Sequence, residues 1–259
     1  MDPESTDSFV AYPMVEEHEA TGVVAGVYAE LLTTTPFVPS LFTSLALCPG
    51  YLVLAHEQAG PALRDDAFAA LAGQLADSVR DAAAPPADPA VRQALAGFLA
   101  PLSRMTLLSA GLRRALAGDL DVPPAPGRPP AARPVRPEQP APAPQQAPAP
   151  GVYGGIRAAL QTPIINSVWR ALARDGQLTA AWAALGPQVA GTRPAADALQ
   201  QRAWDTAGQV PWQVGATPAA LEAAGLTDAA PGMARVLDAS LTTLPRVLTL
   251  AGGCAADDR

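Results

Sequence analysis

Ser40, Asn166 and Ser167 are the residues whose types and placing can do chemistry on a small polar ligand. Hydroxyl and carboxamide groups hydrogen-bond a carboxylate. Asn166 and Ser167 follow closely on Thr162-Pro163, a pair that reads as a helix start. The first-turn amides of such a helix have no partner inside it and attract anions. Arg170, one turn beyond Asn166, is the nearest fixed cation, and Phe42 and Trp169 offer aromatic walls. Each role has a plainer alternative: local capping for Asn166 and Ser167, core packing for the aromatics, and solvent exposure for the arginine. As proton acceptors the chain offers Glu57 (beside His56), Asp175 and Asp205, all of which read more simply as surface or capping residues.

Other chemistries are closed off by composition. All 17 basic residues are arginine, so a Schiff-base lysine and a lysine phosphate loop are excluded. Cys48 and Cys254 are far apart and form no Cys-x-x-Cys, which suggests neither a dithiol nor a zinc site. His18 lies among Glu16, Glu17 and Glu19 and reads as a solvated side chain. No metal and no cofactor is expected. The net charge of −7 and the lack of a basic cluster argue against nucleic-acid binding. The acidic N-terminus is unlike a signal peptide, and two unpaired cysteines fit a reduced cytoplasmic protein. Residues 37–55 are uncharged for nineteen positions, but Pro39 and Pro49-Gly50 interrupt them, so they read as a buried helix–turn–helix and not as a membrane span.

The elements that must position these residues are written twice. Thr35-Pro36 and Thr162-Pro163 each precede a serine by four residues from the proline, then an aromatic (Phe42, Trp169), then Leu-Ala. Both blocks break at a glycine (Gly50, Gly176) and resume until Gly-Pro at 60–61 and 186–187. Val27-Tyr28 is answered by Val152-Tyr153, and the stretch carrying Leu102, Arg104 and Leu108 by one carrying Leu244, Arg246 and Leu250. Alanine and leucine dominate and β-branched runs are scarce, which favours helix over strand.

The expected fold is therefore all-α: two tandem helical repeats packed as an intrachain pseudo-dimer and joined by a Pro-rich linker. The boundaries are a polar segment 1–19, repeat 1 at 20–120, linker 121–150, repeat 2 at 151–253 and a tail 254–259. The linker holds twelve of the 29 prolines, too many to sustain a helix. Helices are predicted over 20–32, from Thr35-Pro36 to Pro49, over 51–58, through Phe68, Leu71, Leu75 and Val79, and over 88–118 with a bend at Pro101. In the second half they are predicted over 162–174, 178–185, 194–207, 219–224 and 231–250, the last kinked at Pro245. A cavity between the halves is the expected ligand site.

Ala20-Thr21-Gly22, Val27-Tyr28, 36–46, 49–52 and 165–173, repeated about a proline-rich joint, resemble the DehI family, the group I 2-haloacid dehalogenases. The resemblance implies an all-α pseudo-dimer without metal or organic cofactor. It also implies an aspartate in the second repeat that activates water to displace halide directly, with inversion and no covalent ester. In the family pattern that aspartate directly follows the serine of Asn-Ser-Asp. Here the run is Asn166-Ser167-Val168, and valine cannot accept a proton. The expectation is a pocket for a short carboxylate-like molecule without hydrolysis, in a monomer or homodimer with no nucleic-acid or membrane partner. The alternatives are a hydrolase with a displaced base and a non-enzymatic helical scaffold.

Overall fold

A computed structural model of the chain describes residues 14–120, 151–213 and 215–254. The described residues are all-α, with no strand among them. The helices are α1 Gly22–Leu31, α2 Ser40–Leu45, α3 Pro49–Leu63, α4 Asp66–Asp77, α5 Pro89–Ala96 and α6 Leu99–Ala117. After the 121–150 segment, which lies outside the described residues, come α7 Val152–Leu160, α8 Ser167–Arg174, α9 Leu178–Leu185, α10 Val189–Ala207, α11 Pro218–Ala223 and α12 Ala230–Gly252.

Helix starts are written in the sequence wherever a side chain can take up the free amides. Asp65 accepts from the amides of Ala67 (2.7 Å) and Phe68, opening α4. Asp88 accepts from Ala90 (2.8 Å) with Pro89 in the first turn of α5, and Thr217 accepts from Ala220 (3.1 Å) ahead of Pro218 in α11. Such a cap contributes about 1 kcal/mol. Gly118 ends α6 in the left-handed region at φ 77°, where only glycine avoids strain.

The centre of the molecule is the pair α6 and α12, flanked by α10 and α4. Leu107, Leu108, Ala110 and Leu112 on α6 and Leu237, Val247, Leu248 and Leu250 on α12 are fully enclosed. On α4, Phe68 and Leu75 face this core as their spacing predicts, and Val79 is buried just past the helix end.

Several expected boundaries move, and proline is the usual reason. Neither Thr-Pro pair starts a helix. Thr35 turns its hydroxyl back to the Leu31 carbonyl (2.9 Å) and so closes α1. Val38 precedes Pro39, a position excluded from the helical region, so α2 begins only at Ser40. Thr162 accepts from the Ile164 amide (3.0 Å), and α8 begins at Ser167 with Asn166 as its extended flank. Pro49 starts α3 instead of ending α2, because the first turn has no use for its missing N–H. Helix α3 passes through Gly60-Pro61 to Leu63. The expected bend at Pro101 is a break at Gly97-Phe98, which leaves Pro101 harmlessly in the first turn of α6. Helix α10 starts at Val189, five residues earlier than expected, and takes in Pro194.

Two helix glycines set opposite expectations for alanine. A Cβ on Gly111 of α6 would meet Trp212, whose indole N–H donates to the Ala207 carbonyl (2.7 Å) and whose ring stands edge-on to Phe68. A Cβ on Gly73 of α4 would meet nothing. In thermal unfolding, Gly111→Ala is expected to lose about 1–3 kcal/mol by overpacking. Gly73→Ala is expected to gain about 1 kcal/mol from helix propensity.

Candidate functional site

The first residues of α2 and α8 meet face to face. Ser40 and Ser167, equivalent positions in the sequence echo, lie with their hydroxyl oxygens 2.7 Å apart. The Ser40 amide also donates to the Ser167 hydroxyl at 3.1 Å. Each sits where it does because the residue before it is held extended: Pro39 at ψ 146° and Asn166 at ψ 157°. The contact joins the two helix starts across a sequence separation of 127 residues.

A cavity of about 260 Å³ opens beside this contact. Residues from both halves of the sequence line it. Residues 34–37 and 39–41 with Leu63 form one side, Phe98, residues 100–102, Arg104 and Met105 another, and Asn166, Ser167, Val168 and Leu244 close it. Its wall is mostly apolar. Among the described residues no carboxylate and no imidazole lines it, and Arg104 is the one charged side chain there. Arg104 is partly buried and has no hydrogen-bond or ion-pair partner among the described residues. It also lines a second hollow of about 220 Å³ between α4 and α6, together with Asp77, Arg80 and Ser103.

Two further features favour an acceptor-rich ligand near α8. No side chain caps this helix, so its first-turn amides keep their free N–H groups and the positive end of the helix dipole. The Asn166 side chain is 4% exposed, and its Oδ1 has no partner among the described residues. A buried, unmet polar atom costs about 1–3 kcal/mol, which a ligand group can recover.

Of the residues singled out from sequence, Ser40, Asn166, Ser167 and Val168 line the cavity together. Phe42, Trp169 and Arg170 do not. Phe42 and Trp169 are fully buried, and Trp169 stands edge-on to Trp182 with ring centroids 5.6 Å apart. Arg170 turns outward from α8 to Glu16 (2.5 Å) and donates to the Ser40 hydroxyl at 3.3 Å. The three candidate bases also stand apart from the cavity. Glu57 is exposed on α3, Asp175 pairs with Arg174 (3.5 Å), and Asp205 accepts from Gln201 (3.0 Å). Arg104 was missed in the sequence. The only signal for it was its alignment with Arg246, which instead donates to the Leu160 carbonyl and whose pKa is lowered by burial.

A strap crosses the outside of the two helix starts. Val15 donates to the Thr43 carbonyl (3.0 Å), and Glu17 accepts from the Val38 amide (3.1 Å). The Tyr28 hydroxyl donates to the Val15 carbonyl at 2.7 Å. Burial first, then the Glu16 carboxylate, pushes the Tyr28 phenol well above its ordinary value and keeps it a donor. Burial does the same for Tyr51.

No protein-family model matches the chain, and no curated protein matches it in sequence. Solved structures do match in shape. D-2-haloacid dehalogenase in complex with L-LA superposes with a TM-score of 0.76 at 20% identity, covering 93% of this chain and 94% of the other. A mutant of D-2-haloacid dehalogenase in complex with D-2-CPA gives 0.75 at 20% identity, with the same coverage. The chain has the D-2-haloacid dehalogenase fold. Within that fold, the haloacid dehalogenase resemblance placed the water-activating aspartate at residue 168. Val168 is 2% exposed and lines the cavity.

Ser167→Ala removes the acceptor of the Ser40 amide, and the variant is expected to lose about 1–3 kcal/mol in denaturant unfolding. A raised tyrosine pKa gives stability that is complete below the unfolded value near 10 and is lost as pH rises toward the folded one. Stability is therefore expected to fall above about pH 10, and Tyr28→Phe is expected to shallow that fall in a pH series of urea midpoints.

Proposed function

We propose that this protein binds a small carboxylate in the cavity beside Ser40 and Ser167 and does not hydrolyse 2-haloacids. The observation that carries the reading is the charge of the wall. Among the described residues one unpaired arginine faces the cavity, and no carboxylate or imidazole does. Displacing halide from an sp³ carbon by water needs a group that takes the water's proton in the transition state. Val168, in the place of that group, offers only hydrocarbon. Losing such a base forfeits about 10²- to 10⁴-fold in rate.

What is left suits binding. Arg104 offers planar donors to a carboxylate, the open first turn of α8 adds N–H groups, and the Asn166 Oδ1 can accept from a hydroxyl on the ligand. The fold likeness supports a ligand-binding reading, because one of the superposed dehalogenase structures is a complex with L-LA. We also read the echoing halves as an intrachain pair. The meeting of Ser40 with Ser167 supports this reading. The reading with a displaced base fits less well, since Glu57, Asp175 and Asp205 are exposed and do not line the cavity.

Halide release from D- and L-2-chloropropionate tests this directly. The wild type is expected to release none above buffer, and Val168→Asp is expected to release halide. Release by the wild type would overturn the reading.

A further inference from the structure

The carboxylate reading leaves most of the cavity unaccounted for. A volume of about 260 Å³ holds about nine groups the size of a water molecule, and a three-carbon acid fills only about half of that. The remaining wall is made by Phe37, Leu63, Phe98, Leu102, Met105 and Leu244. Leu63, Leu102, Met105 and Leu244 are buried side chains, and Phe37 and Phe98 pack tilted at 46° with ring centroids 5.8 Å apart. Water held there would have too few polar partners to be comfortable. Val168 extends the same surface at the point where the fold relatives' implied carboxylate would have made it polar.

We propose that the cavity takes a monocarboxylic acid with an unbranched apolar body of about six carbons, larger than the haloacids that the fold relatives' names imply. The proposal rests on the carboxylate reading above and adds the class of the molecule. Arg104 and the uncapped start of α8 hold the head. Asn166, buried with an unmet Oδ1, marks the polar end of the cavity and suits a hydroxyl beside the carboxylate. The hydrocarbon body lies against the leucines, Met105 and the phenylalanine pair. The second hollow shares Arg104 and Ala100 with the first, so the guanidinium is reached by solvent from its far side.

Isothermal titration of the full chain with sodium propanoate, butanoate, pentanoate and hexanoate tests the proposal, with hexan-1-ol as the uncharged control. The affinity is expected to rise about fourfold per added methylene. Arg104→Gln is expected to weaken every acid by about tenfold to a hundredfold while leaving the slope along the series unchanged. A flat series that still depends on Arg104 overturns the apolar-body proposal and leaves a carboxylate site standing. No binding of any acid, or hexan-1-ol binding as tightly as hexanoate, overturns both. The slope is read in the wild type, so it does not depend on any variant folding. Met105→Trp, checked for folding by its unfolding midpoint, is expected to abolish the gain from propanoate to hexanoate, and a gain that survives it also counts against the proposal.

Discussion

The contact between the Ser40 and Ser167 hydroxyls is the constraint on which the site depends. Two short helices begin there, and neither could present its first turn to a shared cavity unless the other were held beside it. The prolines and extended residues that precede each serine fix the direction of approach, and α6 and α12 supply the rigid floor. Hydrophobic burial gives the molecule most of its stability, but it is non-directional. The serine pair is what aligns the two halves of the sequence to within hydrogen-bonding distance.

The character of the cavity follows from one pairing of residues. Arg104 with a carboxylate at position 168 would make a neutral site, in which the cation lowers the pKa of the acid and holds it ready as a base. With Val168 in that place the arginine has no ion-pair partner among the described residues. A partly buried cation without a counter-ion is costly, and an arriving anion removes that cost. On the proposed reading, the valine that cannot accept a proton also leaves the arginine's attraction for an acid uncontested.

How much of this was legible in the sequence differs from residue to residue. Asp88-Pro89 and Thr217-Pro218 announced their helices correctly, because an oxygen two or three residues upstream takes the free amides. Thr35-Pro36 and Thr162-Pro163 carry the same letters and open no helix. Their hydroxyls are drawn to Leu31 and to Thr243, contacts made by the turn and by the tertiary fold, which spacing alone does not reveal. Ser40 and Ser167 were found because the duplicated phrase pointed at them, Asn166 by its place near the predicted helix start, and Val168 through the family resemblance. Arg170 looked like the cation of the site and is instead tied to Glu16. Arg104 is the one charge in the first fourteen residues of α6. A single charge in such a run has no period to betray which way it faces.

The echo between the halves is not matched by an echo in their chemistry. Arg246 stands where Arg104 stands in the other half, yet its guanidinium is committed to the Leu160 carbonyl and lines no part of the cavity. One half thus commits its arginine to the interior scaffold, so two stretches alike in sequence offer the cavity one guanidinium among the described residues and not a matched pair.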